Sequence, residues 1–383
     1  MEPETVRTQK GGTVSQKEMT YVGTGVDYDA MDPFKRMCQV AAQKTAGSIH
    51  HFSRGELKEF APSRGESAYL IETPDGYLAH VEEGLGTKNI VADEMYTLTD
   101  QVYYDRIAQC TVAMIVNDMA TLGARPLSVA MHLAVGTSDW FLNEARASSL
   151  VAGWKRACDL ARCAWGGGET PTLKDVVMPE RVVLSGSAIG IVKPKERLIR
   201  NAIASGDVII LIESSGIHAN GLTLARKIAD KLPKGYLTEL PNGWTYGETL
   251  LDPTHIYVDL VEDCLNTGVD IHYAVNVTGH GWRKLMRAHG SFTYVIDKLP
   301  RALPIFGFMQ EHGPVNDYEA YGNLNMGAGF ALYVSETDAR KVLKVARATG
   351  LDALVAGYIE KGEKKVVIRP KNLEYVADTL QVR

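Results

Sequence analysis

The sequence predicts an α/β protein of the α+β type, built as two domains that each contain a mixed or antiparallel sheet covered by helices. A length of 383 residues suits roughly two domains of ordinary size. The second half alternates strands and helices and ends in the order strand, helix, strand, strand, at 329–335, 337–348, 353–359 and 364–369. That ending disfavours a doubly wound parallel sheet. A charged, turn-rich stretch at 193–207 marks a domain boundary, so we predict a mobile segment at 1–20 and domains at 21–195 and 196–383.

Patterns of apolar residues place the elements of the first half. The glycine- and aspartate-rich stretch at 21–34 predicts an ordered loop, followed by a helix to about Thr45. Runs of apolar residues with strand or helix periodicity then follow in order. They predict strands at 68–71, 77–81, 127–135 and 181–192, and helices at 104–122 and 143–164.

Composition restricts the classes of partner and compartment. The net charge is −5 and no long run of one sign occurs, which argues against a dedicated nucleic-acid binder. Five cysteines with no CxxC pair indicate a reducing compartment. The N-terminus has no apolar signal-peptide core, and no stretch has the length of a membrane span. We therefore expect a soluble cytoplasmic protein with neither nucleic-acid nor membrane partners.

One polar turn, in the sequence IESSGIHANGLTLARK, lies between a predicted buried strand at 207–212 and a predicted helix at 222–232. Ser214, Ser215, His218 and Asn220 supply donors near the helix N-terminus, and glycines allow unusual backbone angles. Such a turn can bind an anion through amide N–H groups and the helix dipole. An ordinary strand–turn–helix connector with capping residues is the alternative.

A second feature is a pair of polar residues, Asn117 and Asp118, inside the apolar helical segment VAMIVNDMATLGA. A buried carboxylate is costly without a partner, which could be a metal ion, a lysine or a cluster of N–H groups. The alternative is that Asp118 reaches solvent on the polar face of its helix.

Two glycine-rich stretches also indicate candidate ligand-binding loops. VEEGLGTKN, at 81–89, joins acids, glycines and Lys88 in a pattern suited to Mg²⁺ and phosphates, although the order of a Walker A motif is absent. A surface hairpin turn is the alternative for this stretch. WGGGET, at 165–170, has more glycines than a helix C-cap needs, which suggests close approach of a ligand or backbone. A lone His280 in a third glycine turn is more often structural than a ligand.

Taken together and in order, these motifs resemble one family, aminoimidazole ribonucleotide synthetase (phosphoribosylformylglycinamidine cyclo-ligase). The matching pieces span the chain from about Tyr21 to Ile359 and include YVGTGVDYDA, EGLGTK, GGGET, NVTGHG and NLNMGAGFALYV. The resemblance implies ATP and Mg²⁺ as cofactors, an ATP cleft between the two domains, and a small phosphorylated substrate. It also implies a homodimer whose N-terminal domains form a joint β-barrel.

The resemblance also implies roles for individual residues. Glu83 and Asp118 would hold Mg²⁺, and Lys88 and Asn117 would lie near the nucleotide phosphates. His218, Asp118 and Lys88 would be the catalytic residues. The remaining nucleotide-binding residues would come from three glycine motifs: Gly84, Gly86 and Thr87; Gly167, Gly168, Glu169 and Thr170; and Ser214, Ser215, Asn220 and Gly221.

Four departures from the family pattern concern this predicted site. Glu83 replaces an Asp, Cys110 replaces an Asp, residues 171–174 read PTLK after the GGET motif, and Asn276 and His280 replace His and Gly in the NVTGHG turn. The predicted activity is an ATP-dependent cyclo-ligase that makes aminoimidazole ribonucleotide from formylglycinamidine ribonucleotide in purine biosynthesis. The alternatives are a paralogue that uses ATP to activate another amide-like substrate and a non-catalytic nucleotide-binding regulator.

Overall fold

The computed structural model describes residues 18–380. Its strands are β1 (Lys58–Glu59), β2 (Tyr69–Glu72), β3 (Tyr77–Gly84), β4 (Arg125–Val135), β5 (Ala164–Glu169), β6 (Val182–Val192), β7 (Val208–Glu213), β8 (Ile271–Asn276), β9 (Phe292–Ile296), β10 (Ala328–Val334), β11 (Ala353–Lys361), β12 (Lys365–Ile368) and β13 (Leu373–Val376). Its α-helices are α1 (Tyr28–Gln43), α2 (Gly47–Phe52), α3 (Lys88–Thr99), α4 (Tyr104–Ala120), α5 (Glu144–Leu160), α6 (Leu222–Ala229), α7 (Tyr246–Leu250), α8 (Val258–Asn266), α9 (Pro304–His312), α10 (Asp317–Asn323) and α11 (Glu336–Ala348).

The strands form two mixed sheets, which confirms the predicted fold class. The first has the order β1-β2-β3-β6-β4-β5, and the second has the order β13-β12-β9-β11-β7-β10-β8. All neighbours are antiparallel except β4 with β5 and β12 with β9. The first sheet lies at 58–192 and the second at 208–376, on either side of the turn-rich stretch at 193–207.

The two sheets differ in how their faces are covered. In the first sheet, β3 and β6 alternate buried and exposed residues, because α4 packs against one face of these strands and α5 packs against α4. Its other face, which we call the open face, carries apolar residues that are 38–55 % exposed: Leu78, Leu127, Val183 and Ile189. In the second sheet, every residue of β10 is buried.

The helix α4 connects the two halves of the molecule. It packs against β3 and β6 of the first sheet and also against α8 and β8 of the second half. Fourteen of its seventeen residues are buried, including Asn117 and Asp118. The alternative in which Asp118 reaches solvent on a polar face of its helix is therefore excluded by the packing on both sides of α4.

Two of the alternatives considered from the sequence are excluded by the structure. The GGGE sequence forms the edge strand β5 and not a helix cap, because α5 ends at Leu160 and leaves room for the chain to pair with β4. The stretch 81–89 is no surface hairpin: β3 passes through a turn directly into α3. Residues 1–17 of the predicted mobile segment at 1–20 lie outside the part of the chain that the structure describes. Among residues 18–380, no helix combines the length and the apolar character that a membrane crossing requires.

Candidate functional site

A cavity of about 650 Å³ lies between the two halves of the molecule. Three parts of the chain line it: the segment from Tyr21 to the middle of α1, the N-terminal half around β3 and α4, and the C-terminal half around α6 and the 278–287 turn. Of the residues predicted for the site, six line this cavity: Glu83, Gly86, Thr87, Asp118, Asn220 and Gly221.

Two helix N-termini meet at one end of the cavity. The chain leaves β3 through Gly86, at φ +73°, and begins α3 at Lys88; it leaves β7 through Gly221, at φ +85°, and begins α6 at Leu222. Both backbone angles favour glycine, and a side chain at Gly221 would also collide with Leu324. The hydroxyl oxygens of Thr87 and Thr223 are 3.4 Å apart. The first turns of α3 and α6 therefore direct two positive dipole ends towards the same space, a suitable arrangement for an anion such as a phosphate.

Two carboxylates lie together on the wall of the cavity. The alternation of β3 directs Glu83 towards the cavity and Glu82 towards the open face. Asp118 is 7 % exposed and accepts a 2.8 Å hydrogen bond from the Asn276 side-chain amide. Burial, reinforced by repulsion from Asp118, raises the pKa of Glu83 to about 7. Two acids held this close with little solvent are characteristic of a cation or proton site.

A buried lysine accompanies this acid pair. Lys284 is 8 % exposed, and its ammonium group donates a 2.5 Å hydrogen bond to the Thr278 hydroxyl. Burial lowers the pKa of Lys284 to about 8, and the negative charges of Asp118 and Glu83 oppose that shift. The lysine therefore supplies a partial counter-charge to both carboxylates.

The structure does not bring Lys88 and Asn117 to the cavity surface. The fully buried Lys88 ammonium donates hydrogen bonds to the backbone carbonyls of His218, at 2.9 Å, and Asp252, at 2.7 Å. Asn117 donates to the carbonyl of His255 and accepts from the N–H of Tyr257, both at 2.8 Å. Each side chain thus joins the two halves of the molecule, and their predicted contacts with phosphates stay a prediction.

The serines and the histidine of the 213–221 turn also have partners inside the fold. Ser214 donates to the Asn325 side chain at 2.9 Å, and Ser215 donates to the Pro253 carbonyl at 2.5 Å. His218, at φ +59°, accepts the Ser215 N–H through Nε2 at 3.2 Å. Burial holds the pKa of His218 well below its usual value, so the ring is neutral. These contacts shape the turn that presents Asn220 and Gly221.

The His218 ring also fixes the neighbouring strand. A side chain at Gly329 would collide with the hydroxyl of Tyr257 and with Cε1 of His218. The Tyr257 hydroxyl in turn donates a 2.6 Å hydrogen bond to the Glu213 carbonyl. The geometry therefore gives His218 a structural position, and its predicted catalytic role is not tested by it.

The GGGET residues lie elsewhere. Gly168 and Glu169 line a second cavity, of about 390 Å³, on the open face of the first sheet, together with Glu82, His132 and Ser185. Gly167 and Thr170 adjoin them on the same exposed edge. Gly84 pairs with Ser185 at the end of β3 and does not line the main cavity. Their predicted role in nucleotide binding stays a prediction.

The N-terminal segment closes one side of the main cavity. The Tyr28 ring stacks on His280 with centroids 3.8 Å apart, and the Tyr28 hydroxyl accepts the His280 N–H at 3.2 Å. Asp32, buried on α1, lies 3.4 Å from Nε2 of His280, and the N–H of Tyr21 donates to Glu319 at 3.0 Å. Burial lowers the pKa of His280 to about 3, so it contacts α1 as a neutral ring.

Sequence reasoning missed two cations of the site, Lys284 and Arg287. Both follow the NVTGHG turn: Lys284 lies in a short 3₁₀ helix, Gly281–Met286, with buried Trp282, Leu285 and Met286, and Arg287 is the residue directly after that helix. The reasoning that selected Asp118, a charge within an apolar segment, applies equally to Lys284. Arg287 donates to the Ser67 hydroxyl at 2.9 Å and to the Gly65 carbonyl at 2.6 Å, contacts that depend on the tertiary fold.

The fold and the site together define a two-domain protein with a cleft that joins two helix N-termini to a pair of acids. Residues 65–192 match the model of the AIR synthase related protein, N-terminal domain, and residues 204–369 match that of the AIR synthase related protein, C-terminal domain. The chain therefore belongs to the AIR synthase related family.

Curated relatives agree with this assignment. The phosphoribosylformylglycinamidine cyclo-ligase of Methanocaldococcus jannaschii is 36 % identical over 89 % of this chain and 92 % of its own. The enzyme of the same name from Carboxydothermus hydrogenoformans is 33 % identical over 92 % of this chain and 99 % of its own.

Solved structures share the fold at lower identity. Thiamine monophosphate kinase from Aquifex aeolicus superimposes with a TM-score of 0.54 at 16 % identity, over 78 % of this chain and 90 % of its own. T. maritima PurL complexed with FGAR superimposes with a TM-score of 0.56 at 15 % identity, over 94 % of this chain and 54 % of its own. At this identity the likeness supports the fold alone.

Proposed function

We infer that the chain is an ATP-dependent phosphoribosylformylglycinamidine cyclo-ligase of purine biosynthesis, acting in the cytoplasm. The observation that carries this inference is one cleft in which two helix N-termini adjoin the carboxylates of Glu83 and Asp118. Relatives of that name align over nearly the whole chain. The reaction consumes formylglycinamidine ribonucleotide and ATP and yields aminoimidazole ribonucleotide, ADP and phosphate.

We propose that the ATP phosphates lie at the paired N-termini of α3 and α6. The backbone at Gly86 and Thr87 and the first turn of α6 after Gly221 line this space, and no side chain is in the way at either glycine. Asn220 lines the same end, and its side-chain Nδ2 is buried without a partner among the described residues. A buried donor of this kind gains a hydrogen bond when a phosphate or ribose oxygen enters.

The donor set of the acid pair suits Mg²⁺. The ion prefers oxygen ligands and is usually held by one or two carboxylates together with phosphate oxygens and water. Glu83 and Asp118 supply two carboxylates, and no group of three or more His, Cys, Asp or Glu within residues 18–380 could hold a metal by itself. When bound, Mg²⁺ would neutralise the phosphate charge, while Asn276 orients Asp118 through its hydrogen bond.

The chemistry requires positioning more than covalent participation. The γ-phosphoryl group moves to the formyl oxygen, and the ring-forming nitrogen then attacks the activated carbon and displaces phosphate. Lys284 and Arg287, on the C-terminal side of the cavity, place positive charge beside the carboxylates and near Ser67. We propose that they stabilise the negative charge of the transferred group and of the substrate phosphate.

We propose that the active form is a homodimer assembled through the open face. Exposed apolar side chains on this face, among them Val183 and Ile189, leave an apolar sheet surface that a second copy would cover. Because the cavity beside Gly168 and Glu169 opens on the same face, we propose that these residues act in the assembled dimer.

Sedimentation velocity at micromolar concentration should give a dimer. Ile189→Lys should give a monomer and the control Trp244→Lys, at an exposed residue of the other half, should not; a monomeric wild-type chain would refute this assembly.

ADP release separates the proposed activity from its alternatives. The purified chain is incubated with ATP and Mg²⁺, with and without formylglycinamidine ribonucleotide, and ADP and aminoimidazole ribonucleotide are both quantified. Equal amounts of the two products, dependent on the substrate, are expected. ADP formed by transfer of the γ-phosphoryl group to water, without aminoimidazole ribonucleotide, would indicate a paralogue whose own substrate is absent from the assay, and ATP binding without any ADP would indicate a regulator.

A further inference from the structure

The end of α5 brings two cysteines together. After Leu160 the chain turns at Arg162, which has the left-handed φ of +52°. The N–H of Cys163 donates to the carbonyl of Cys158, and the N–H of Arg162 donates to that of Asp159, both at 3.0 Å. These two bonds are those of a Schellman motif, in which the side chains at the positions of Cys158 and Cys163 contact each other.

The two thiols differ in exposure and in acidity. Cys158 is 3 % exposed and faces the core, whereas Cys163 is half-buried at the surface. A hydrogen bond between the thiols is the largest cause that raises the pKa of Cys158 and lowers the pKa of Cys163. The accessible thiol is thus also the more acidic one, and the thiolate is the reactive form of cysteine.

The other cysteines have no such arrangement. Cys38 is exposed on α1, Cys110 is buried and accepts the N–H of Thr254 at 3.3 Å, and Cys264 is buried. All five are free thiols in this structure. Apolar residues commonly make the side-chain contact of a Schellman motif, so a pair of plain packing residues is the competing explanation for Cys158 and Cys163.

We propose that Cys158 and Cys163 form a redox-active dithiol that low-molecular-weight disulfides, such as oxidised glutathione, convert reversibly into an intramolecular disulfide. The Cys163 thiolate attacks one sulfur of glutathione disulfide, forming a mixed disulfide and releasing one glutathione thiolate. That thiolate takes the proton of Cys158, whose sulfur then attacks Cys163 and releases the second glutathione. The protein loses two hydrogens and the oxidant is reduced to two thiols.

The bond would join the last turn of α5 to the start of β5. Cys163 directly precedes Ala164, the first residue of that edge strand. Arg162, between the two cysteines, pairs with Asp259 of α8 at 2.9 Å. The disulfide would therefore form where α5, the edge strand β5 and the C-terminal half of the chain meet. The proposal does not depend on the enzymatic activity.

Peptide mapping of the wild-type chain tests the pair directly. The folded protein is incubated with oxidised glutathione, quenched in acid, alkylated and digested with trypsin without reduction. Because trypsin cleaves after Arg156, Arg162 and Lys174, the disulfide links two separate peptides, ACDLAR and CAWGGGETPTLK. We expect this linked pair as the main oxidised product and its loss after treatment with dithiothreitol.

Single variants identify the attacking sulfur. Cys158→Ser should stop at a mixed disulfide of Cys163 with glutathione, Cys163→Ser should give neither product at this site, and the control Cys38→Ser should behave as the wild type. Circular dichroism of each variant verifies the fold, although the wild-type map stands without them. Glutathione on Cys38 alone, with both peptides of the pair unmodified, would overturn the proposal and leave the two cysteines as packing residues.

Discussion

Two sites with buried carboxylates in the N-terminal half, one at Asp93 and one at Glu83 and Asp118, differ in the groups that surround the acids. Asp93, on α3, accepts a 2.5 Å hydrogen bond from the Tyr104 hydroxyl and lies 3.5 Å from the Arg181 guanidinium. Burial raises its pKa to about 6 although both partners oppose the shift. Burial also raises the pKa of Glu83, to about 7, and its neighbour Asp118, a second acid, reinforces that shift.

The difference separates a carboxylate that has a hydroxyl and a cation as its neighbours from a carboxylate that has a second acid as its neighbour. Asp93 has its hydroxyl and cationic partners within the same half of the chain and lines neither cavity described above. Glu83 and Asp118 repel each other on the wall of a cavity, and the positive charges of Lys284 and Arg287 offset that repulsion in part. Acids kept together at such a cost are characteristic of functional sites. Changing them should affect catalysis, whereas changing Asp93 should affect only stability.

The largest effect is expected for Asp118→Asn. The amide keeps the shape but removes one of two charges proposed to hold Mg²⁺, so turnover should fall at least about a hundredfold, the scale of losing a charge-stabilising group. The Mg²⁺ concentration for half-maximal rate should rise. Steady-state kinetics of product formation measure both.

Asp93→Asn is the matched control for that variant. It should retain wild-type kcat and Mg²⁺ dependence, because Asp93 lies outside the cleft. Near-normal activity of Asp118→Asn would remove Asp118 from the metal site.

Glu83→Gln should change how stability depends on pH. Folded Glu83 has a pKa of about 7 against an ordinary 4.5, so between these values the folded chain holds a proton that the unfolded chain releases. The free energy of unfolding therefore falls as pH rises through this window, a loss the glutamine variant lacks. Without Mg²⁺ and ATP, the variant should exceed the wild type by about 3 kcal/mol at pH 8 and by little at pH 4.5. Urea denaturation at both pH values measures this; a constant difference would contradict it.

Lys284→Gln should lower turnover by about tenfold, because the positive charge beside the acid pair and the transferred group is lost. The neighbouring Arg287→Gln, which loses contacts with Gly65 and Ser67, should mainly raise the KM for the ribonucleotide. Comparison of kcat and KM for the two variants separates these roles. Equal changes in both would show that the two cations act as one unit.

The smallest effect is expected for Glu83→Asp. The change keeps the carboxylate and restores the shorter side chain of the resembled family, so activity should change by about threefold or less. A loss as large as that of Asp118→Asn would mean that the longer reach of Glu83 is required in this chain. The same kinetic assay decides this.

The sequence allowed the fold class, most strands and part of the site to be predicted, because periodicity reports burial directly. Asp118 stood out as a charge in an apolar helix, and the turn before α6 stood out by composition. The sequence could not predict where the side chains of Lys88 and Ser214 point. Both residues lie beside glycine turns as expected, but Lys88 bonds to the distant Asp252 and Ser214 bonds to the distant Asn325. The strand β5 was missed because its glycines carry no strand periodicity and only pairing with β4 reveals it.

The contact of His218 with Gly329 and Tyr257 limits how this chain can diverge. Any larger residue at Gly329 requires His218 and Tyr257 to move or shrink, and a smaller residue at either position leaves a void beside β10. Single substitutions at these three positions are therefore disfavoured, whereas joint replacement is tolerated more easily. Among descendants of this chain, the residues at these three positions should therefore change together. Which residues they are should follow the descent of the sequence and not the substrate of the enzyme.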